Sequence, residues 1–432
     1  MQSTFEPLWP RLASLRLTDG LDWEDVTSTL TFLTPRITNL TLVLPRDNSI
    51  LQPTLSIASN RCHWLQELVS DIVADDPHSV LWVGKLISAS RGTLRTLDIR
   101  SPFKTGYLLS IIANLTRLRN LKLEGAHFPR DLPSDAFPAL EEVTFVRFHG
   151  QRLQYFFEHL RTTTLKVVKI YATDAVTFEE SITALARFSA TLRVLEISGV
   201  ADLDLSSVVA PHLFTNLTTV HLWCCRTTRR GGPCAFRPTD KAIVELGAAM
   251  PNIIHLSLGS PSCSNLRYIT FPSLISLSQT CKNLETLVIR VDFQTMVTPS
   301  LDESQDAEAG ETFDRAPGSG SACKLHKLVV GVSTLPRSPE SGWIVAIGLR
   351  EIFPLLSKVV GYGSEGPKWE QVNRNIGMLR QVHRTMQQQG LYRGRQSTFQ
   401  LSNPSPFPMF YRRPSYGVPP YRYDKPSSDS LD

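Results

Sequence analysis

The chain has 432 residues, of which 42% are hydrophobic, with seven cysteines and a net charge of +5. That composition supplies a continuous core, yet no apolar run reaches the roughly 18 residues a membrane helix needs. The opening Met-Gln-Ser-Thr-Phe-Glu-Pro lacks the basic start and apolar stretch of a secretory signal, and an odd set of scattered cysteines points to reduced thiols of cytosol or nucleus. The Asn-Leu-Thr triplets at Asn39, Asn114 and Asn216 then carry no weight as glycosylation sites.

In chain order, one apolar pattern recurs with two residues and then one between its members. It reads Leu12-Leu15-Leu17, Ile37-Leu40-Leu42, Leu94-Leu97-Ile99, Leu118-Leu121-Leu123, Leu140-Val143-Phe145 and Leu165-Val168-Ile170. It continues as Leu192-Leu195-Ile197, Leu217-Val220-Leu222, Ile253-Leu256-Leu258, Leu284-Leu287-Ile289 and Leu325-Leu328-Val330, with degenerate copies at Leu65 and Leu356. The first eight intervals run from 22 to 29 residues and the last four from 31 to 41. The alternating end of each copy predicts a short strand whose fourth and sixth positions face inward while the residues between face out. Helices are predicted over Val80–Ser90, Tyr107–Asn114, Leu153–Leu160, Phe178–Phe188, Asp240–Ala249 and Ile344–Ile352. Phe178, Ile182, Leu185 and Phe188 show the spacing of three and four that marks one helical face. No such helix buries its face alone, so the units must stack into one elongated core spanning 1–367.

Phe5, Leu8 and Trp9 run into the first unit without a polar cap, which predicts that the array belongs to a longer protein. Residues 295–322 hold an acidic run (Asp302, Glu303, Asp306, Glu308, Glu311 and Asp314) followed by Gly and Ser, and read as a disordered insertion. Residues 368–390 read as a helix with Trp369, Val372, Ile376, Leu379, His383 and Met386 on one seam, capping the array or docking a partner. The tail 391–432 is rich in Pro, Ser, Tyr and Arg and reads as disordered. Its Arg–Tyr mixture is the one feature that could favour RNA, through stacking and charge, but nucleic acid is not the expected partner.

Catalytic and metal chemistry find little support. His221, Cys224, Cys225 and Cys234 lack the second ligand pair of a zinc site unless Cys263 joins them, and the plainer reading is buried or loop thiols. Arg229-Arg230-Gly231-Gly232-Pro233 lacks the Lys-Ser/Thr ending of a phosphate loop. Gly318-Ser319-Gly320-Ser321 lies in the insertion, where no strained nucleophile elbow can be held. The sequence therefore predicts no enzyme and no cofactor.

The repeats resemble those of leucine-rich-repeat proteins, and segments such as 137–145 (FPALEEVTF) and 250–258 (MPNIIHLSL) resemble fungal F-box-type members of that group. The resemblance covers about residues 8–361 and implies an α/β solenoid of about 13 irregular repeats, a curved parallel sheet with helices on its convex side. The asparagine that strict repeats carry three positions after the last core residue is missing, replaced for example by Gly20, Pro45, Ala126, Cys225 and Asp292. The expected function is a non-catalytic protein-binding scaffold with a protein target on its concave face. If an F-box lies upstream, the resemblance implies a cullin-type ligase adaptor as second partner. A stand-alone repeat binder or inhibitor is the alternative. From the register, the partner-binding residues are predicted to be Arg16, Asp98, Arg100, Lys122, Glu124, Lys169, Tyr171, Glu196, His221, Trp223, His255 and Arg290, with Trp223 foremost because Trp, Tyr and Arg dominate interface energies.

Overall fold

A computed structural model describes residues 11–18, 28, 30–44, 48–72, 77–100, 106–125, 132–133, 135–148, 153–172, 179–199, 205, 214–223, 238–260, 269–296, 323–338 and 340–388. The acidic run, the tail 391–432, Cys224, Cys225, Cys234 and Cys263 lie outside them.

Thirteen strands form one parallel sheet in chain order: β1 (Ser14–Leu17), β2 (Asn39–Leu44), β3 (Glu67–Ile72), β4 (Thr96–Ile99), β5 (Asn120–Glu124), β6 (Glu142–Phe148), β7 (Val167–Ala172), β8 (Val194–Ser198), β9 (Thr219–Trp223), β10 (His255–Leu258), β12 (Thr286–Val288), β14 (Lys327–Gly331) and β15 (Lys358–Gly361). The short β11 (Ile269–Thr270) and β13 (Val291–Asp292) pair separately, also in parallel. Each of the apolar triplets, the two degenerate copies included, supplies one strand of the large sheet. Neighbouring copies align residue for residue: Leu97 lies beside Leu121, Leu121 beside Val143, Val168 beside Leu195. The inward rows are sealed from solvent from Leu40 and Leu42 through Leu328 and Val330. At the first unit Leu12 and Leu15 are only partly covered. This is a leucine-rich-repeat solenoid.

Between the strands run helices α1 (Asn48–Arg61), α2 (Pro77–Ala89), α3 (Gly106–Ala113), α4 (Leu153–His159), α5 (Glu179–Leu185), α6 (Asp240–Ala249), α7 (Phe271–Thr280), α8 (Ser341–Ile352) and the long α9 (Gly366–Gln388). Their apolar faces join the inward strand side chains in a single core, so they cover one face of the sheet and leave the other open. The helix predicted to end at Phe188 tightens into a 3-10 turn over Ala186–Phe188. No described helix is long and apolar enough to cross a membrane. Of the insertion predicted over 295–322, residues 295 and 296 lie in a 3-10 turn (Gln294–Met296) and residues 297–322 lie outside the described residues.

With the asparagine ladder missing, adjacent units are tied instead by hydroxyls and thiols on the side of the strands where the chain enters. Thr93 donates to the Leu65 carbonyl (2.8 Å), Thr162 to Leu140 (2.8 Å) and Thr191 to Leu165 (2.9 Å). Ser90 donates to the Cys62 carbonyl (2.9 Å), and the Cys62 thiol in turn faces the Thr34 carbonyl (3.8 Å). Cys323 plays the same part toward the Cys281 carbonyl (3.3 Å). Burial pushes the Cys62 and Cys281 thiols up to about 11, so both stay protonated and act as weak donors rather than nucleophiles.

At the far end, α9 closes the last strand. Val359 on the outer edge of β15 would leave an unpaired amide and carbonyl. The Asn373 side chain takes the place of a further strand, accepting from the Val359 amide (2.6 Å) and donating to its carbonyl. In this degenerate copy Gly361 stands at the sixth position, and the space it leaves is filled by Trp369, whose Cδ1 sits 2.0 Å from where a Cβ would be. The Trp369 indole donates to the Ser333 carbonyl (3.0 Å) and meets Phe293 edge-on at 5.2 Å.

Candidate functional site

The open face is a set of rows across the strands, because every second strand residue points away from the core. The middle row runs Arg16, Thr41, Val69, Asp98, Lys122, Thr144, Lys169, Glu196, His221, Ser257, Val288, Val329 and Val360. Its character changes along the array from mostly charged, through the imidazole of His221, to valine. A parallel row toward the strand ends carries Glu124, Val146, Tyr171, Ser198 and Trp223.

Most predicted charged residues already have partners, chiefly on neighbouring repeats. Asp98 accepts from Lys122 (3.1 Å) and, within its own unit, from Arg100 (3.0 Å). Glu124 meets Arg147 (3.1 Å), Lys169 meets Glu142 (3.1 Å), and the Tyr171 hydroxyl donates to Glu196 (2.8 Å). Burial and the Glu196 carboxylate push the Tyr171 phenol well up, so it remains a donor. Partly exposed cross-strand pairs of this kind are worth about 0.2–1 kcal/mol each. Their main effect is to hold long side chains in one arrangement and neutralise the surface locally.

The central patch on β9 and β10 is different. The His221 and Trp223 rings stack with 3° between their planes at 5.8 Å. Trp223 is 39% exposed and its indole donates to Ser257 (2.7 Å) on the next strand. His255 lies on the same face at the start of β10, two positions before Ser257. Burial, and less strongly the nearby His255, hold the His221 imidazole below its ordinary value, with Glu196 opposing. The folded state therefore binds this proton less well than the unfolded chain. Its contribution to stability is complete above about pH 6.5 and is lost as pH falls from there through the folded value. A proton-detected NMR titration should show a His221 midpoint below that of a free histidine, and Trp223→Ala should move it back upward by exposing the ring.

Two predicted residues fall apart from this group. Arg16 sits on β1, eight strand spacings or about 38 Å from His221. Arg290, predicted as an exposed contact, is only 8% exposed. β12 ends at Val288, and the chain then turns into β13, so that the Arg290 carbonyl accepts from the Ile269 amide (3.1 Å) instead of continuing the outward alternation. Conversely, a search for charged and aromatic side chains passes over Ser257, Val288, Val329 and Val360, although the same register marks them. Among the described residues no group of His, Cys, Asp and Glu is arranged to hold a metal ion.

No protein-family model matches the chain, and no curated protein does. Among solved structures the chain is similar to one from the crystal structure of the Rad7–Elc1 complex of yeast, at 15% identity and a TM-score of 0.44 over 78% of this chain and 79% of that one. It is also similar to the leucine-rich-repeat-containing protein LegL7 from Legionella pneumophila, at 12% identity and a TM-score of 0.35 over 84% of this chain and 97% of that one. The fold assignment rests on the strand order and register described above.

Proposed function

We propose that the protein is a non-catalytic interaction scaffold that recognises a protein target through the open face of its sheet, centred on Trp223 and His221. The observation that carries this reading is the patch itself: a half-exposed indole stacked on an imidazole, between a self-paired charged stretch and a valine stretch. Large aromatic surface in a rigid frame is what interface hot spots are made of, and the paired charges around it supply a preorganised rim. The resemblance of the repeats to F-box-type proteins extends the reading to a target handed to a cullin-type ubiquitin ligase.

The test is affinity purification from cells with wild-type chain and Trp223→Ala in parallel. A protein retained by the first and depleted from the second supports target recognition at this patch, and identical retained sets contradict it. Presence of a cullin adaptor in both preparations supports the ligase extension. Its absence from both, with the target still held, removes that extension and leaves the scaffold standing.

A further inference from the structure

Away from the open face, at the C-terminal end of the array, α8 and α9 flank an open groove of about 550 Å³. Its apolar lining is Ile347, Leu355 and Leu379, and its charged lining includes Arg350, Arg380 and Arg384. None of these arginines makes an ion pair among the described residues, in contrast to Lys122, Lys169 and Arg147 on the open face. Arg350 donates to the Pro354 carbonyl, and burial together with Arg380 holds its guanidinium below its ordinary value. The one carboxyl in the lining, Glu351, is pushed up by burial and not held down by a cation. Three arginines against the single carboxyl of Glu351 leave an excess of positive charge on half-apolar surface, an arrangement that like-charge repulsion disfavours in the isolated chain.

α9 itself is only half used by the fold. Its buried residues are Trp369, Val372, Asn375 and Ile376, all in the first half. Beyond Gly377, Met378, Val382 and Met386 are each more than 40% exposed and lie four residues apart, one helical stripe that is not part of the groove lining. The expected seam through Met386 therefore runs out after Leu379.

We infer that this groove forms a second docking surface, for an acidic amphipathic helix of a partner protein. Carboxylates on such a helix would meet Arg350, Arg380 and Arg384 in charge-assisted pairs, while its leucines would cover Ile347, Leu355 and Leu379. Charge complementarity selects an acidic partner. The aliphatic side of the lining, Ile347, Leu355 and Leu379, favours the leucines of a peptide over a nucleic acid.

The probe is a fluorescein-labelled synthetic helix of Glu, Leu and Ala with leucines at helical spacing, titrated into the full chain and followed by anisotropy. Its counterpart with Gln for every Glu, and poly-uridine RNA, are run alongside. The expected results are binding of the Glu peptide alone, a tenfold or greater loss for Arg380→Glu with Arg384→Glu, and a comparable loss for Leu379→Ser. Trp223→Ala should leave the affinity unchanged. Circular dichroism and melting of the arginine variants should match the wild type, since the arginines contribute no internal pair, whereas Leu379→Ser, at a residue packed on the core, should melt lower and is assayed well below its own midpoint. Failure of the Glu peptide to bind, equal binding of the Gln peptide, insensitivity to the variants, or RNA binding that depends on the arginines but not on Leu379, would each overturn the proposal.

Discussion

Trp369→Ala should lower the unfolding free energy by about 3–5 kcal/mol, the cost of emptying a large aromatic site in a core that cannot collapse. Trp369 is 1% exposed, and its ring occupies the place where the last copy of the repeat has Gly361 instead of an aliphatic residue. Removing it also leaves the Ser333 carbonyl without its donor, a loss of order 1–3 kcal/mol that water entering the cavity would partly offset. The damage should spread, because Trp369 and Asn373 together fasten α9 over the open edge of β15. Chemical denaturation is the measurement, and a loss of the cooperative baseline at the C-terminal end is the expected accompaniment. Gly361→Ala should be nearly as harmful, since its methyl group would overlap the indole. Gly366→Ala, where an added Cβ meets nothing within 4 Å, should be close to neutral and serves as the control.

The second large effect concerns binding. Trp223→Ala should weaken the target complex by about 30-fold or more, the 2 kcal/mol or greater that marks an interface hot spot. Stability should change little by comparison. Trp223 is 39% exposed and its hydrogen bond goes to Ser257, whose hydroxyl water can reach once the indole is gone. Charge removals in the neighbouring stretch should behave differently. In Lys122→Ala or Lys169→Ala, the lost cation leaves Asp98 or Glu142 altered inside the protein before any partner is met. The separation of a strong aromatic effect from weak charge effects follows from that self-pairing.

The strand framework was legible because the aliphatic alternation is uninterrupted in most copies, and inward residues such as Val168 and Leu195 have no other place to go. Even the weak copies at Leu65 and Leu356 announced strands, with Ser70 and Gly361 where others have Leu or Ile, though nothing in the sequence said that Trp369 would fill the second gap. α1 escaped the segments named from periodicity: Leu51, Leu55 and Ala58 have helical spacing, but Pro53 among them reads as a breaker. The open-face register was also legible. It places Asp98 beside Lys122 but does not contain the diagonal reach of Tyr171 to Glu196, which stands opposite Lys169: that contact is a choice of side-chain conformation that the register does not carry. Arg290 failed for a local reason, the early end of β12.

The proposed target sits on the open face of the sheet and not on the helical side. A photo-reactive phenylalanine analogue placed at Lys169 or His255 on that face, and at Val244 on the exposed side of α6, tests it most directly. The prediction is that light attaches one and the same protein at the two strand positions, that Trp223→Ala abolishes both products, and that Val244 yields none. Capture of that protein at Val244, with none at Lys169 or His255, would contradict it.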